Sequence, residues 1–353
     1  MMIGLFALAA STAAIHGADR RMPLAGQRSQ LKEDLIAAKK VEAKPPGFLS
    51  GAYAAAGVAT TATWGNIVRT TIRSNQPMGA MMPSVQHQIF ARASVLSAVP
   101  VIVSCYATLA SASKDSWESL SSNTCRRLNL ALAAAGVGGA LWVGFAPILT
   151  QIPGSNPVAS HQAYKGAARA AMIASYGSAA ALSAAVWARS LPEDVRNAPL
   201  SWPGRVADGV AKSLVSLGPK DSDNPVNVKY ALLSTSFLLL TAVQLGSFPL
   251  AVVPSWTGRR LSRHFPAWTL LAAASSFNLK EAVENGKLFA DSTYRTLSNG
   301  LTGMGAVYLS SKVGAVFFDP SFPVHYKIVS MVPAAQLAAA TMIGLTLRPD
   351  KAK

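Results

Sequence analysis

The chain has 353 residues, of which 50% are hydrophobic and only 14% are charged, and its formal net charge is +16. Charged residues make up about a quarter of an ordinary soluble domain, so this composition argues against a water-soluble protein and indicates a membrane protein. The positive charge is spread along the chain without a dense block of lysine or arginine. This pattern favours anionic lipid over nucleic acid as the partner.

The first 50 residues predict a basic extension ahead of the membrane region. An apolar run over 1–15 has the length of a signal peptide, but no lysine or arginine precedes it, and basic residues follow from Arg20 to Lys44. A secretory signal has the opposite order of charge and apolar run. The segment therefore fits an organellar presequence or a matrix-facing extension better.

Eight apolar stretches follow, and most approach the roughly 20 residues that a helix needs to cross about 30 Å of hydrocarbon. They cover residues 51–68, 93–113, 128–150, 166–188, 230–253, 267–279, 297–318 and 328–347. The first and sixth are short enough to be re-entrant, so seven or eight crossings are expected. The sequence predicts an all-α fold, specifically a polytopic transmembrane helix bundle.

The second half of the chain resembles the first in the order of its motifs. Lys114-Asp115 and Lys280-Glu281 follow the second and sixth stretches, and a Thr-x-Arg-x-Leu motif at 124–128 returns at 293–297. Four crossings per unit would give the halves the same orientation, related by an axis along the membrane normal. Coincidence among similarly punctuated hairpins is the alternative to a duplication.

This pattern predicts five parts. They are a basic extension (1–50), a first four-helix half (51–188), an extramembrane crossover loop (189–229), a second four-helix half (230–347) and a tail (348–353).

Charge asymmetry predicts the topology. The termini and the loops near 114–127, 189–229 and 280–296 collect most of the 32 lysines and arginines and nearly all of the 16 acidic residues. The positive-inside rule places that face in the matrix, cytoplasm or stroma. We predict a mitochondrial inner membrane with both termini in the matrix, and a plastid membrane is the alternative.

Four of the five histidines fall in the loops of the opposite face. They are His87, His161, His264 and His325. Imidazole is a common metal and haem ligand, but no carboxylate or thiolate accompanies these residues in a spacing motif. Hydrogen bonds to headgroups or to a partner are the competing interpretation, so we predict no cofactor and keep the four histidines as candidate metal ligands.

Two arginine clusters without acidic neighbours lie on the same face as these histidines. They are Arg69, Arg73 and Arg92 in the first half, and Arg259, Arg260 and Arg263 in the second. Such clusters bind phosphate-bearing headgroups, so we predict that they bind an anionic phospholipid such as cardiolipin.

Lys312 lies deep in the seventh stretch, where a lysine at the bilayer centre costs about 2.5–3.5 kcal/mol. We therefore expect Lys312 to face protein, either a helix carbonyl or the carboxylate of a partner subunit.

Small residues recur at fourfold spacing in several stretches. Examples are Ala131, Ala135 and Gly139 in the third, and Ala170, Ala174 and Ser178 in the fourth. Because small side chains allow close approach of helix backbones, these rows predict helix–helix contact faces.

No acid–base pair, nucleotide motif or metal motif is present, so the sequence predicts no enzymatic activity for the chain itself. The first interpretation is an accessory subunit of a large energy-transducing assembly, a mitochondrial respiratory chain complex or ATP synthase. It would hold neighbouring membrane subunits and anionic lipid.

The alternative function is a small-solute transporter of an organellar membrane, built from two four-helix repeats. Transporters usually place ionisable or helix-breaking residues at matching positions near the midplane. Lys312 has no counterpart in the third stretch, and Pro100 and Pro333 are not equivalent in the repeat. These mismatches favour the accessory role at the level of sequence.

Overall fold

A computed structural model describes residues 45–73, 96–149, 166–202, 204, 215–220, 223–246, 256–287 and 291–318. These residues form helices and contain no β-strand, which confirms the predicted all-α class. The long helices are α1 (Phe48–Arg73), α2 (Ala98–Asp115), α4 (Asn123–Leu149), α5 (Gly166–Arg189), α7 (Pro225–Gly246), α8 (Trp256–Glu284) and α9 (Ser292–Phe318). Two short helices, α3 (Trp117–Leu120) and α6 (Glu193–Arg196), lie between them.

The helices extend beyond the apolar stretches from which they were predicted. The first and sixth stretches, expected to be short, belong to continuous helices of 26 and 29 residues. The segment between the fifth and sixth stretches is therefore helical from Trp256 onward, and both ends of the loop predicted near 280–296 are helical. α7 begins inside the predicted crossover loop. The eighth stretch, 328–347, lies outside the described residues.

Local capping explains several of these boundaries. Pro225 is the first residue of α7, where a missing N–H is tolerated, and the Asn224 side-chain oxygen accepts the next free backbone N–H at 3.0 Å. At the other end of α8, Gly286 has a φ of +65°, a left-handed conformation that suits glycine. The Lys287 N–H then bonds back to the Ala282 carbonyl at 2.8 Å and ends the helix.

Helix packing is reciprocal between the two halves of the chain. α1 packs along α2, and α7 packs along α8 in the same way. α2 packs against α9 while α8 packs against α4, so the second helix of each half contacts the third helix of the other. The helix expected to match α5 lies outside the described residues, so the division into two four-helix halves stays a prediction.

α8 is the central helix of this arrangement. Every residue from Trp268 to Lys280 is buried, including the polar residues Thr269, Ser275 and Asn278. The surrounding helices instead expose large apolar side chains. Val58 is 71% exposed, Leu141 53%, Leu232 62% and Leu239 63%. The described helices thus combine buried polar side chains with exposed large apolar ones, a combination that also occurs in helix bundles in lipid.

Two described helices are long and apolar enough to cross a membrane, judged by length and composition alone. They are Asn123–Gly144 within α4 and Gly166–Arg189, which is α5. A core helix of a soluble protein has the same properties, so this supports membrane association only weakly. The remaining helices carry more serine, threonine and asparagine, and their membrane crossing stays a prediction.

The predicted contact face of α5 is wrong. The three residues of that row are all exposed: Ala170, Ala174 and Ser178. The helix instead buries Met172 and Tyr176 against α4. A Cβ atom added at Gly136 of α4 would lie 2.7 Å from the Tyr176 carbonyl oxygen. The packed face of α5 therefore combines these large side chains with a different set of small residues, among them Ala179, Ala180 and Ser183.

Candidate functional site

Three segments that the charge pattern assigns to one face gather at one end of the bundle, here named the polar end. Antiparallel packing brings the C-terminal ends of α2, α5 and α8 beside the N-terminal ends of α4, α7 and α9. The Arg126 guanidinium donates to the Ser190 carbonyl, which joins α4 to the end of α5. The Thr124 and Tyr294 hydroxyl groups lie 3.4 Å apart and join α4 to α9.

A buried ion pair joins the two halves at the polar end. Arg127 on α4 donates from Nη1 and Nη2 to the Glu281 carboxylate on α8, at 2.5 and 2.7 Å. Its Nη1 also donates to Asn278 Oδ1 at 2.9 Å, and its Cζ lies 4.8 Å from the centre of the Phe277 ring. The Arg127 side chain is only 6% exposed. Such a forked, charge-assisted pair specifies the geometry in which the two helices meet.

The residue before Glu281 anchors the crossover segment. The Lys280 side chain is 1% exposed, and its Nζ donates to Glu284 Oε1 at 2.7 Å and to the Ser216 carbonyl at 2.8 Å. Lys220 adds a backbone N–H bond to Glu284 Oε1 at 3.2 Å. Burial alone would raise the pKa of Glu284, but Lys280 and Lys220 together lower this pKa below its ordinary value.

Two tyrosines occupy equivalent positions in the two halves. Tyr53 is the sixth residue of α1 and Tyr230 is the sixth residue of α7. The Tyr53 hydroxyl donates to Asn129 Oδ1 of α4 at 2.7 Å, and the Tyr230 hydroxyl lies 3.5 Å from Ser298 Oγ of α9. Asn129 and Ser298 are each five residues beyond the threonine of the repeated motif. The two hydrogen bonds are therefore matched across the repeat.

Further hydroxyl and thiol groups meet inside the bundle. Cys105 Sγ of α2 lies 3.5 Å from Ser275 Oγ of α8, at the contact between the second helices of the two halves. The Thr241 and Thr269 hydroxyl groups lie 2.7 Å apart and join α7 to α8. Polar groups of this kind hold helices together where water is scarce.

Aromatic rings fill the centre of the bundle next to these groups. The Trp64 and Trp268 rings pack edge to face with centroids 5.3 Å apart, and the Tyr176 ring lies 6.3 Å from Trp268. The indole N–H of Trp268 has no hydrogen-bond partner among the described residues. This centre is the contact of α1 and α5 with α8.

The predicted binding residues lie mostly at the opposite end of the bundle or outside the described part of the chain. His87, His161, His325 and Arg92 lie outside the described residues. The other candidates belong to helices at residues whose side chains are not described: Arg69 and Arg73 (α1), Arg259, Arg260, Arg263 and His264 (α8), and Lys312 (α9).

Two of these groups nevertheless lie towards the same end of the bundle. α1 starts at the polar end and α8 finishes there, so the arginines of both helices lie at the far end of the bundle. The Trp64–Trp268 contact places α1 beside α8 just before those arginines. Among the described residues, no group of three or more histidines, cysteines or acids is arranged to hold a metal ion. Lipid and metal binding at the predicted residues stay predictions.

Sequence reasoning missed the buried pair of Arg127 and Glu281 and the cluster around Lys280. Both sites lie within the repeated motifs, at Lys280-Glu281 and beside Arg126, but these motifs were interpreted only as breaks between helices. The sequence did contain a signal for a charged cluster here, because acidic residues are scarce and Glu281 and Glu284 are spaced one helical turn apart.

Comparison with known proteins identifies no relative. No protein-family model, no curated protein and no solved structure matches the chain.

Proposed function

We propose that the chain is a small-solute transporter of an organellar membrane, built from two four-helix halves. The observation that carries this proposal is the reciprocal packing of α2 with α9 and of α8 with α4. Transporters built from repeats bind their solute at the interface between the repeats. The matched tyrosine bonds support the same repeat from individual residues.

The proline positions do not give the two halves a matched helix break. The register that superposes Lys114-Asp115 on Lys280-Glu281 places Pro100 of α2 opposite Pro266 of α8. Pro266 lies in the interior of α8, where the missing N–H removes a helix hydrogen bond, but Pro100 is the third residue of α2, where the backbone N–H has no partner within the helix. The proposal of transport therefore rests on the packing of the halves and not on their prolines.

The interior between the halves offers polar groups to a solute. Cys105 of α2 lies against Ser275 of α8, at the contact between the second helices of the two halves. A small polar solute needs such hydroxyl groups in place of water when it crosses the bilayer. In this proposal the membrane is the mitochondrial inner membrane or a plastid membrane, with the polar end on the matrix or stromal side.

An accessory role in a respiratory chain complex or ATP synthase is the second candidate. It is favoured by the exposed row of Ala170, Ala174 and Ser178 on α5, because small residues permit close approach of a neighbouring subunit. In that role the chain would hold membrane subunits and anionic lipid without performing transport.

Uptake into proteoliposomes tests the proposal. The purified chain is reconstituted and exposed to radiolabelled small neutral, cationic and anionic solutes, and saturable uptake of at least one is expected. Gly300→Leu is expected to abolish that uptake, because a Cβ atom at Gly300 would lie 2.0 Å from Ser104 Oγ at the α2–α9 crossing. Gly138→Leu is the matched control, since a Cβ atom there meets nothing within 4 Å.

Absence of saturable uptake for every solute, from a chain that is monodisperse and helical, would contradict transport. Co-migration with a large complex would then favour the accessory role. Circular dichroism and gel filtration of Gly300→Leu separate loss of transport from loss of folding.

A further inference from the structure

We propose that the Arg127–Glu281 pair is a latch, and that the two halves part at the α4–α8 crossing of the polar end while the α2–α9 crossing stays closed. The inference rests on the proposed transport by two halves. It states which of the two equivalent helix crossings opens. Its test measures the opening of that crossing and does not measure uptake.

The ion pair breaks the symmetry of the repeat. The motif register places Asp115 opposite Glu281 and Thr296 opposite Arg127. Asp115 is exposed, and the Thr296 hydroxyl donates to the Ser292 carbonyl of its own helix at 3.0 Å. Within the described part of the chain, the α2–α9 crossing therefore has no ion pair at the matching position.

The α2–α9 crossing is instead held by close packing. Cβ atoms added at Gly300 and Gly303 of α9 would lie 2.0 Å from Ser104 Oγ and 2.8 Å from Pro100 Cβ. This contact has little room for water, and separating it would lose dispersion contacts without giving the exposed groups new partners. It is suited to act as the fixed side of the interface.

The latch has the properties of a contact that can open. The Glu281 side chain is 28% exposed, so water can reach the carboxylate that Arg127 binds. Arg127 Nε is buried and has no hydrogen-bond partner among the described residues, so the guanidinium is not fully compensated for its desolvation. Where desolvation nearly offsets the attraction, a buried pair adds little net stability and can exchange its partner for water.

A cysteine at position 131 reports on this crossing. Ala131 lies one helical turn beyond Arg127, on the same side of α4, and is 0% exposed. Movement of α4 away from α8 uncovers a thiol placed there. Cys105 lies in the bundle interior with 0% exposure and reports instead on general unfolding.

The test measures labelling of each thiol by a membrane-impermeant maleimide in full-length protein reconstituted in nanodiscs. Ala131→Cys with Cys105→Ser and Cys125→Ser leaves a single thiol at this crossing, and Cys125→Ser alone leaves only Cys105. Glu281→Gln is expected to speed labelling of the Ala131→Cys thiol about tenfold or more, which corresponds to about 1.4 kcal/mol in the opening equilibrium. Labelling of Cys105 is expected to stay unchanged. Glu118→Gln, which removes an exposed acid from the same end, is the matched control.

The double exchange Arg127→Glu with Glu281→Arg is expected to restore slow labelling of the Ala131→Cys thiol. The latch is overturned if Glu281→Gln leaves that labelling unchanged, or if it also speeds labelling of Cys105, since the pair would then be a purely structural contact. Failure of the uptake assay with the labelling result intact would remove transport and leave the latch.

Discussion

Replacing Tyr53 with phenylalanine removes one buried hydroxyl and leaves its ring in place. That hydroxyl donates to Asn129 Oδ1 at 2.7 Å, and Asn129 is 0% exposed. Its Nδ2 already has no partner among the described residues, so the substitution leaves both polar ends of the amide unpaired. An unsatisfied buried acceptor costs about 1–3 kcal/mol, and we expect Tyr53→Phe to lower the free energy of unfolding by that amount.

The matched substitution Tyr230→Phe is expected to cost less than about 1 kcal/mol. Its hydroxyl lies 3.5 Å from Ser298 Oγ, at the limit of hydrogen bonding, and Ser298 is only half-buried, so water can replace the lost group. Unfolding by SDS in mixed micelles measures both values. An equal or larger loss for Tyr230→Phe would refute the argument from distance and burial.

Three further predictions concern Glu284, the contact of α4 with α5, and the arginines of α8. The pKa of Glu284 is lowered in the folded chain, so its contribution to stability is complete above the ordinary glutamate pKa. That contribution is lost as the pH falls below this value. The free energy of unfolding of Glu284→Gln should therefore depend less on acid pH than that of the unchanged chain. Gly136→Ala should destabilise the chain by about 1–3 kcal/mol, because its Cβ atom would lie 2.7 Å from the Tyr176 carbonyl oxygen. Gly177→Ala is the control, since a Cβ atom there meets nothing within 4 Å, and it should be neutral or stabilising in thermal melts. Joint replacement of Arg259, Arg260 and Arg263 of α8 by glutamine should reduce the amount of anionic phospholipid that co-purifies, as measured by mass spectrometry. An unchanged amount of lipid would contradict headgroup binding.

Apolar stretches were sufficient to predict the helices, because long runs without charge near the centre of each stretch leave few alternatives to a helix. The helix boundaries were harder to predict. Around α8, charged and polar residues flank the apolar core on both sides, so the sequence indicated a short segment where the structure has 29 helical residues. Helix capping by Gly286 decides the end of α8, and hydropathy does not detect it.

Small residues predicted the contact face of α4, where Ala131, Ala135 and Gly139 are buried, but not the contact face of α5. In α5 alanine occurs on every side of the helix, so a row such as Ala170 and Ala174 arises on exposed and buried faces alike. The pairing of Arg127 with Glu281 could not be predicted, for a different reason. Two adjacent arginines precede α4's apolar core, and only the crossing angle of α4 and α8 determines which of them meets the acid.

The contact of Cys105 with Ser275 allows the most direct measurement of the central claim, that two halves move against each other to pass a solute. Cys105 Sγ lies 3.5 Å from Ser275 Oγ, so Ser275→Cys in a Cys125→Ser background brings two thiols within reach of a disulfide. We predict that oxidation forms this disulfide, seen by mass spectrometry, and stops uptake into proteoliposomes, and that reduction restores it. Unchanged uptake through the cross-linked protein, or no saturable uptake before oxidation, would contradict the account.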